Sequence, residues 1–229
     1  MNIENNNSEF IQVSVVIPLY NKSKYIARAL DSILSQTYQH FEIVVIDDGS
    51  TDDSPEIVRS YSDSRIKLIK QENAGPGAAR NRGIKESVYP LVGFLDADDE
   101  WMPSFLEESV TRLKNNPDCV LTVSGHFRGA KQKSWEPTHR KAGINEGVWR
   151  MPTKMESDLL KPNLDFFHSS AIVVYRDVLN QFGGFYEKDH CNYGEDIYLW
   201  LQIALNYKVY RDPKPLVWYH SENSGLSCV

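Results

Sequence analysis

The sequence of 229 residues lacks the features that mark several large classes of protein. Its three cysteines are far apart and include no C-x-x-C pair, so neither a disulfide framework nor a zinc site is indicated. No apolar run is long enough to span a bilayer, and the N-terminus has no charged segment followed by an apolar one. These absences predict a protein of the reducing cytoplasm.

The chain also has no excess of positive charge. Its formal net charge is −6, which disfavours nucleic acid as a partner, although a local metal or arginine can still attract an anionic ligand. There is no internal repeat and no low-complexity linker, so we predict a single domain over 11–229. Residues 1–10 are polar and rich in asparagine, and we expect them to form a flexible tail.

Short β-branched segments alternate with helical patterns over the first 125 residues. Strands are predicted at 13–17, 41–46, 66–69, 91–95 and 119–123. Between the first two, apolar residues recur at helical spacing over 23–36. The alternation predicts an α/β fold with a mainly parallel central sheet and helices on both faces. Polar clusters that follow the strands should meet at the carboxyl edge, where such sheets bind ligands.

The periodicity is weaker in the second part of the chain. Residues 127–163 are rich in Lys, Trp, Pro and Gly, and Trp135 and Trp149 there are candidates either to stack on sugar rings or to anchor a long loop. Further on, we predict a strand at 171–175, a helix after Glu195 and a strand at 216–219.

The strongest chemical signal is the run Asp96-Ala97-Asp98-Asp99 directly after a predicted buried strand. Three carboxylates this close repel one another unless a cation neutralises them. A hard divalent ion such as Mn²⁺ or Mg²⁺ would do so and would also hold a diphosphate. The alternative is a solvated acidic turn that begins the next helix.

Two further segments have both a binding and a structural interpretation. Asp48, at the end of another strand, can accept a hydrogen bond from a nucleobase, whereas Asp52 and Asp53 fit helix capping. In 75–83, small residues allow backbone to approach a ligand and arginines can pair with phosphate, but close helix packing by itself explains Ala78 and Ala79 fully.

Three more residues remain ambiguous on local sequence alone. Glu195 or Asp196 can be a base that deprotonates an acceptor hydroxyl, or they can be acids favoured at a helix N-terminus. His220 can be a ligand, although a lone histidine is more often a packed or surface residue.

Together these motifs resemble the family 2 glycosyltransferases with the GT-A fold. The likeness runs through 15–21, 46–52, 73–83, 94–98, Gly183-Gly184-Phe185, Glu195-Asp196 and His220, followed by Ser224 and Ser227. It covers nearly the whole chain after the tail. It implies a nucleotide-binding half at 11–125 and a small acceptor-side half at 126–229.

The resemblance also implies roles for individual residues. Pro18 and Tyr20 would frame the nucleobase pocket, and Asp48 would read the base. Asn81 and Arg82 would lie beside the nucleotide. The D-x-D motif would use Asp96 and Ala97 at the donor ribose or sugar and Asp98 at the metal. His220 would complete the metal site. Asp196 would be the catalytic base, with Glu195 as the alternative.

The implied function is that of an inverting hexosyl- or hexosaminyltransferase. It would move a sugar from a nucleotide diphosphate, uridine diphosphate being the frequent one in the family, to a saccharide or lipid-linked acceptor. Surface polysaccharide or glycoconjugate synthesis at the inner face of a membrane would fit, with at most peripheral membrane contact. The alternatives are a non-catalytic sugar-nucleotide-binding protein and a sugar-nucleotide pyrophosphorylase.

Overall fold

A computed structural model describes residues 10–188 and 194–220 of the chain. Most of the predicted N-terminal tail, residues 1–9, lies outside these ranges, as do Ser224 and Ser227 from the family resemblance. No helix in the described ranges combines the length and the apolar character that crossing a membrane requires.

Within the described ranges, ten strands form one sheet. They are β1 Val13–Leu19, β2 Phe41–Asp47, β3 Ile66–Lys70, β4 Leu91–Phe94, β5 Glu100–Trp101, β6 Cys119–Arg128, β7 Lys133–Ser134, β8 Gly147–Trp149, β9 Ile172–Tyr175 and β10 Lys208–Tyr219. Along the sheet the strands follow the order β3-β2-β1-β4-β9-β6-β10-β5, with β7 paired to β6 and β8 to β10.

Eight helices are described. They are α1 Ile26–Leu34, α2 Ser54–Arg59, α3 Pro76–Glu86, α4 Phe105–Asn115, α5 Glu136–Lys141, α6 Ser157–Asp165, α7 Arg176–Gln181 and α8 Glu195–Asn206. The first four alternate with the strands of residues 11–125, which is the connection that parallel pairing requires.

The parallel part of the sheet comprises β3, β2, β1 and β4. Residues Val15, Val16 and Ile17 of β1 are fully buried in succession, so both faces of this strand are covered. On one face, Gly83 of α3 lies so close that a Cβ atom there would be 2.2 Å from Val16 Cγ1. Glycine therefore allows α3 to pack directly on β1.

The second half completes the sheet with mixed pairing. Strand β9 is antiparallel to both β4 and β6, whereas β10 is parallel to β6. Since β4 and β6 therefore run the same way, the carboxyl ends of β1, β2, β4, β6 and β10 lie at one edge. The predicted α/β fold with a mostly parallel central sheet is confirmed.

Two regions differ from the sequence-based prediction. The aperiodic stretch contains α5, α6, β7 and β8, all of them too short or too polar to give a clear periodic signal. The last strand is longer than predicted, since β10 begins at Lys208. Pro213 and Pro215 interrupt its pattern, and register shifts on both sides of Pro215 accommodate them, because proline cannot donate a ladder hydrogen bond.

Candidate active site

The carboxyl ends of β1, β2 and β4 meet as predicted. The backbone N–H of Asp48 donates to Leu19 O at 2.8 Å, and that of Leu95 donates to Val16 O at 3.1 Å. A cavity of about 560 Å³ opens at this edge. The residues predicted from sequence that line it are Pro18, Tyr20, Asp48, Asp96, Ala97, Asp98 and Glu195.

Asp48 is held in place by the loop that follows β3. Its Oδ1 accepts hydrogen bonds from Gln71 Nε2 at 2.7 Å and from Ala74 N at 2.9 Å, and its Oδ2 accepts one from Gly75 N at 2.9 Å. A carboxylate has about four acceptor positions, so one remains for a donor in the cavity. Tyr20 lies at the rim with 48% of its surface exposed.

Arg80 is a cavity residue that the sequence analysis did not single out. Its Nη1 donates to Glu195 Oε1 at 2.8 Å and its Nη2 to Asp96 Oδ1 at 2.7 Å, while the guanidinium lies over the Phe185 ring. Burial by itself opposes the charge, but Asp96 and Glu195 raise the pKa of Arg80 above its usual value. Arg80 precedes buried Ile84 by one helical turn, which was the available signal that it faces inward.

Asn81 and Arg82 do not line the cavity. Asn81 accepts from Phe185 N at 2.7 Å and donates to Phe185 O at 2.9 Å, so it ties α3 to the segment after α7. Arg82 pairs with Glu86 at 2.8 Å, one turn along the same helix. The roles that the resemblance gave them beside the nucleotide remain predictions.

The acidic turn after β4 divides its carboxylates between different partners. Asp98 Oδ2 lies 2.6 Å from Lys22 Nζ, whereas buried Asp99 accepts from Ser170 Oγ at 2.7 Å and from His220 N at 3.1 Å. Burial raises the pKa of Asp98, although Lys22 opposes the shift. Burial and the neighbouring Asp96 and Asp98 raise the pKa of Asp99 well above its usual value.

Asp96, Asp99 and His168 form a group that can hold a metal ion. One ligand atom from each lies within 4.8 Å of the others. Two further observations fit a divalent cation. His168 Nδ1 is buried without a hydrogen-bond partner among the described residues, and burial together with the nearby Asp96 and Asp98 raises the pKa of Asp99, a cost that a bound cation would relieve. His168 precedes β9 and had no local sequence signal, because it is far from the acidic turn along the chain.

His220, which the resemblance placed at the metal, lies against the acidic turn, where its backbone N–H donates to Asp99 but its ring contacts Glu100. Its Nε2 is 2.7 Å from Glu100 Oε1, and its ring stacks on Trp218 at 4.2 Å. The metal roles of Asp98 and His220 therefore remain predictions beside the group formed by Asp96, Asp99 and His168.

The two candidate bases at the start of α8 have different surroundings. Glu195 is buried and bound to Arg80, and burial raises the pKa of its carboxyl although Arg80 opposes the shift. Asp196 is half-buried and carries no basic partner among the described residues. It accepts only from Ser169 Oγ at 3.1 Å and from Ile197 N at 2.8 Å. Asp196 is thus the carboxylate with spare acceptor capacity.

Comparison with known proteins gives consistent relatives. An uncharacterised glycosyltransferase of Rickettsia conorii is 32% identical over 84% of this chain and 30% of its own length. The Escherichia coli protein WfgD, a UDP-Glc:α-D-GlcNAc-diphosphoundecaprenol β-1,3-glucosyltransferase, is 34% identical over 83% of this chain and 69% of its own. The chain therefore spans less than a third of the first of these relatives.

Solved structures share the fold. Staphylococcus aureus TarS superposes with a TM-score of 0.75 at 22% identity, covering 92% of this chain and 60% of the TarS fragment. Mannosyltransferase PcManGT from Pyrobaculum calidifontis, in complex with GDP-Man and Mn²⁺, gives a TM-score of 0.70 at 23% identity, over 95% of this chain and 59% of its own. The profile of glycosyl transferase family 2 matches residues 14–183. With the cavity and acidic turn described above, these matches show that the chain belongs to glycosyl transferase family 2.

Proposed function

We propose that this protein transfers a sugar from a nucleotide diphosphate donor to an acceptor hydroxyl with inversion at the anomeric carbon. The observation that carries the proposal is the single cavity edge at which Asp48, Arg80 and the acidic turn meet. A nucleotide sugar can be bound by three such parts: a carboxylate that accepts from the base, a buried arginine that positions the acids, and a metal-ligand group for the diphosphate. The similarity to WfgD, whose donor is UDP-Glc, supports the same conclusion.

For the donor, we favour a uridine diphosphate sugar. The remaining acceptor position of Asp48 suits an N–H of a pyrimidine base, with Pro18 and Tyr20 beside it. TarS has been solved with UDP and with UDP-GlcNAc, whereas PcManGT was solved with GDP-Man. Guanosine and deoxythymidine diphosphates are therefore included in the test below.

Mn²⁺ or Mg²⁺ would be held by Asp96, Asp99 and His168, whose ligand atoms are already close together. When bound, such a cation neutralises the charge that grows on the leaving diphosphate. The ion pair with Arg80 would keep Asp96 at the cavity, where it can contact the donor. Although burial favours the neutral acid, Arg80 and His168 hold the pKa of Asp96 below its usual value, so this carboxylate stays charged.

Asp196 would act as the base. The hydroxyl of Ser169 and the backbone N–H of Ile197 orient its carboxylate, and neither neutralises it. It would accept the proton of the acceptor hydroxyl as that oxygen forms the new glycosidic bond and the bond to the diphosphate breaks. Glu195 would instead position Arg80, to which it is already bound.

For the acceptor, we favour a saccharide carried on a lipid diphosphate, as in the substrate named for WfgD. Such acceptors are built at the inner face of the membrane, which agrees with the cytoplasmic location expected from the sequence. The reaction would then contribute to a surface polysaccharide or glycoconjugate.

The proposal is tested by calorimetric titration of UDP, GDP and dTDP into the protein with and without Mn²⁺. We expect UDP to bind, and to bind more tightly with the metal. Asp48→Asn should weaken UDP binding at least about tenfold, since it loses part of a charge-assisted hydrogen bond. Asp63→Asn, which removes a carboxylate paired with Arg65 outside the cavity, is the matched control. Absence of binding by all three nucleotides would refute the donor site.

A further inference from the structure

A basic segment follows β6 and lies apart from the cavity. Residues 128–141 contain five Lys or Arg residues and a single acid, Glu136, in a chain whose formal net charge is −6. The segment comprises the end of β6, the strand β7 and the helix α5. We call it the basic hairpin. Such a local excess of positive charge attracts anions even when the whole protein is acidic.

Arg128 is held by aromatic rings instead of by an acid. Its guanidinium lies 5.1 Å from the Trp135 ring centroid and 5.6 Å from that of Tyr219. Within the part of the chain that the structure describes, no carboxylate pairs with it. By contrast, the guanidinium groups of Arg65 and Arg80 each lie 2.7 Å from a carboxylate oxygen. Contact with the two ring faces holds the Arg128 guanidinium in place and does not consume its N–H donors.

The position of Arg128 links it to the reaction centre. In the sheet, Arg128 at the end of β6 pairs in register with Tyr219 at the end of β10. The Tyr219 ring contacts the His168 ring at 4.6 Å, and His168 belongs to the metal-ligand group with Asp96 and Asp99. The Tyr219 ring therefore contacts both Arg128 and the metal-ligand group.

The strand order also shows on which side of the proposed donor Arg128 lies. Strand order places β6 and β10 on the opposite side of β4 from β1 and β2. The nucleotide of the proposed donor would lie towards β1 and β2, where Asp48 and Tyr20 line the cavity. A ligand at Arg128 is consequently on the acceptor side.

We propose that Arg128, clamped between Trp135 and Tyr219, binds a phosphate of the acceptor, namely the diphosphate of a polyprenyl-diphosphate-linked saccharide. This inference rests on the proposed function. The fork of N–H donors on a guanidinium matches the oxygens of a phosphate group. Lys131 and Lys133 on the same hairpin are exposed and add long-range attraction.

The arrangement fits a short anionic group better than a long polyanion. The positive charges are confined to one hairpin, whereas a polyanionic chain needs a continuous track of positive charge along its binding surface. The net charge of −6 over the whole protein opposes such a track. A diphosphate needs only one oriented guanidinium and its immediate neighbours.

The inference is tested by titrating farnesyl diphosphate into protein saturated with UDP and Mn²⁺, with farnesol as the probe that lacks phosphate. We expect the diphosphate to bind and farnesol to bind at least tenfold more weakly. Arg128→Ala should weaken diphosphate binding at least tenfold. Arg128→Lys should recover part of the affinity, because it keeps the charge but loses the stacked fork. Arg140→Ala, which removes an exposed arginine of α5 paired with Glu136, should change the affinity less than twofold.

UDP binding by each variant is measured first and shows that the variant is folded. If the wild type binds none of UDP, GDP and dTDP, the proposed function is wrong, and the inference falls with it; if it binds GDP or dTDP instead, that nucleotide replaces UDP in the titrations. If UDP binds but the affinity for farnesyl diphosphate is the same in Arg128→Ala and wild type, only the inference is wrong. Phosphatidylglycerol vesicles without lipid diphosphate are the last arm. Equal dependence of vesicle binding on Arg128 would make the hairpin a general membrane contact and would also overturn the inference.

Discussion

The two halves of the molecule treat their buried charges differently. In residues 11–125, two buried acids have several donors each. Asp48 accepts three hydrogen bonds, and Glu42 accepts from Ser14 Oγ at 2.6 Å and pairs with Lys67 at 2.6 Å. In residues 126–229, several buried basic side chains contact aromatic rings or neutral groups instead of an acid. His126 and His139 have Nδ1 atoms without partners among the described residues.

Arg211 shows the second pattern most clearly. It is buried, its Nη1 donates to the neutral Asn163 Oδ1 at 2.6 Å, and its guanidinium lies 4.1 Å from the Trp149 ring centroid. Burial lowers the pKa of Arg211 to about 10. The rings of this half therefore substitute for counter-ions. The difference teaches that Asp48 and Glu42 find their donors within the chain, whereas Arg128 and Arg211 have no acidic partner among the described residues.

Of the variants that test the difference between the two halves, Asp196→Asn should show the largest effect, a loss of transfer rate. Asp196→Asn removes the proposed base, and loss of general base catalysis typically slows transfer by about 10²- to 10⁴-fold. UDP binding should be retained, because Asp196 does not line the cavity. The matched control is Asp177→Asn, an exposed acid in the first turn of α7. Unchanged turnover by Asp196→Asn would remove this residue from the base role.

The next effect concerns stability on the donor side. Arg80→Ala would leave buried Glu195 and half-buried Asp96 without their shared cation, which costs about 3–5 kcal/mol in the free energy of unfolding. Chemical denaturation measures the change. Arg82→Ala, which removes an exposed pair on the same helix, should cost less than about 0.5 kcal/mol. Similar losses for both variants would contradict the buried bridge.

The third test decides between two sets of metal ligands at the boundary of the halves. If Asp96, Asp99 and His168 hold the ion, His168→Ala should weaken Mn²⁺ binding by about tenfold to a hundredfold. His220→Ala should weaken it less. Paramagnetic resonance of free Mn²⁺ gives both affinities directly. The reverse order would favour the ligands implied by the family resemblance, Asp98 and His220.

The smallest effect is a pH dependence on the acceptor side. Burial lowers the pKa of His139 from 6.5 to about 4, so the unfolded state binds the proton first as the pH falls. Stability is therefore present above pH 6.5 and is lost towards pH 4, by about 2 kcal/mol between pH 6.5 and pH 5. Denaturant titrations of His139→Phe should show a flatter profile over this range. A profile identical to that of wild type would contradict the burial of a neutral His139, and exposed His40→Gln is the control.

The sequence predicted the structure best where a local pattern also determines how the strands are arranged in the sheet. Buried β-branched runs predicted the parallel strands, and the polar clusters after them predicted the edge at which Pro18, Asp48 and Asp96 line one cavity. This works because parallel strands must point their carboxyl ends the same way.

The remainder depended on contacts between distant parts of the chain. Arg80 and Glu195 are separated by 115 positions, and His168 reaches the acidic turn only because β9 enters the sheet beside β4. The sequence allowed two interpretations of Trp149. Its ring lies 4.1 Å from the Arg211 guanidinium and packs against the core, which supports the anchoring role. Trp135 could not be assigned from sequence, since its partners Arg128 and His126 belong to β6 and not to its own segment.

The place of β9 in the sheet has a consequence for how the chain folds and recombines. Strand β9, from residues 172–175, lies between β4 and β6, which precede it in the sequence. During synthesis, β4 and β6 would expose unpaired edges until β9 emerges, and exposed edges promote aggregation. Exchange of acceptor halves between relatives at residue 125 would cut through β6 and supply a foreign central strand. Chimeras should therefore tolerate a foreign basic hairpin better than a foreign β9.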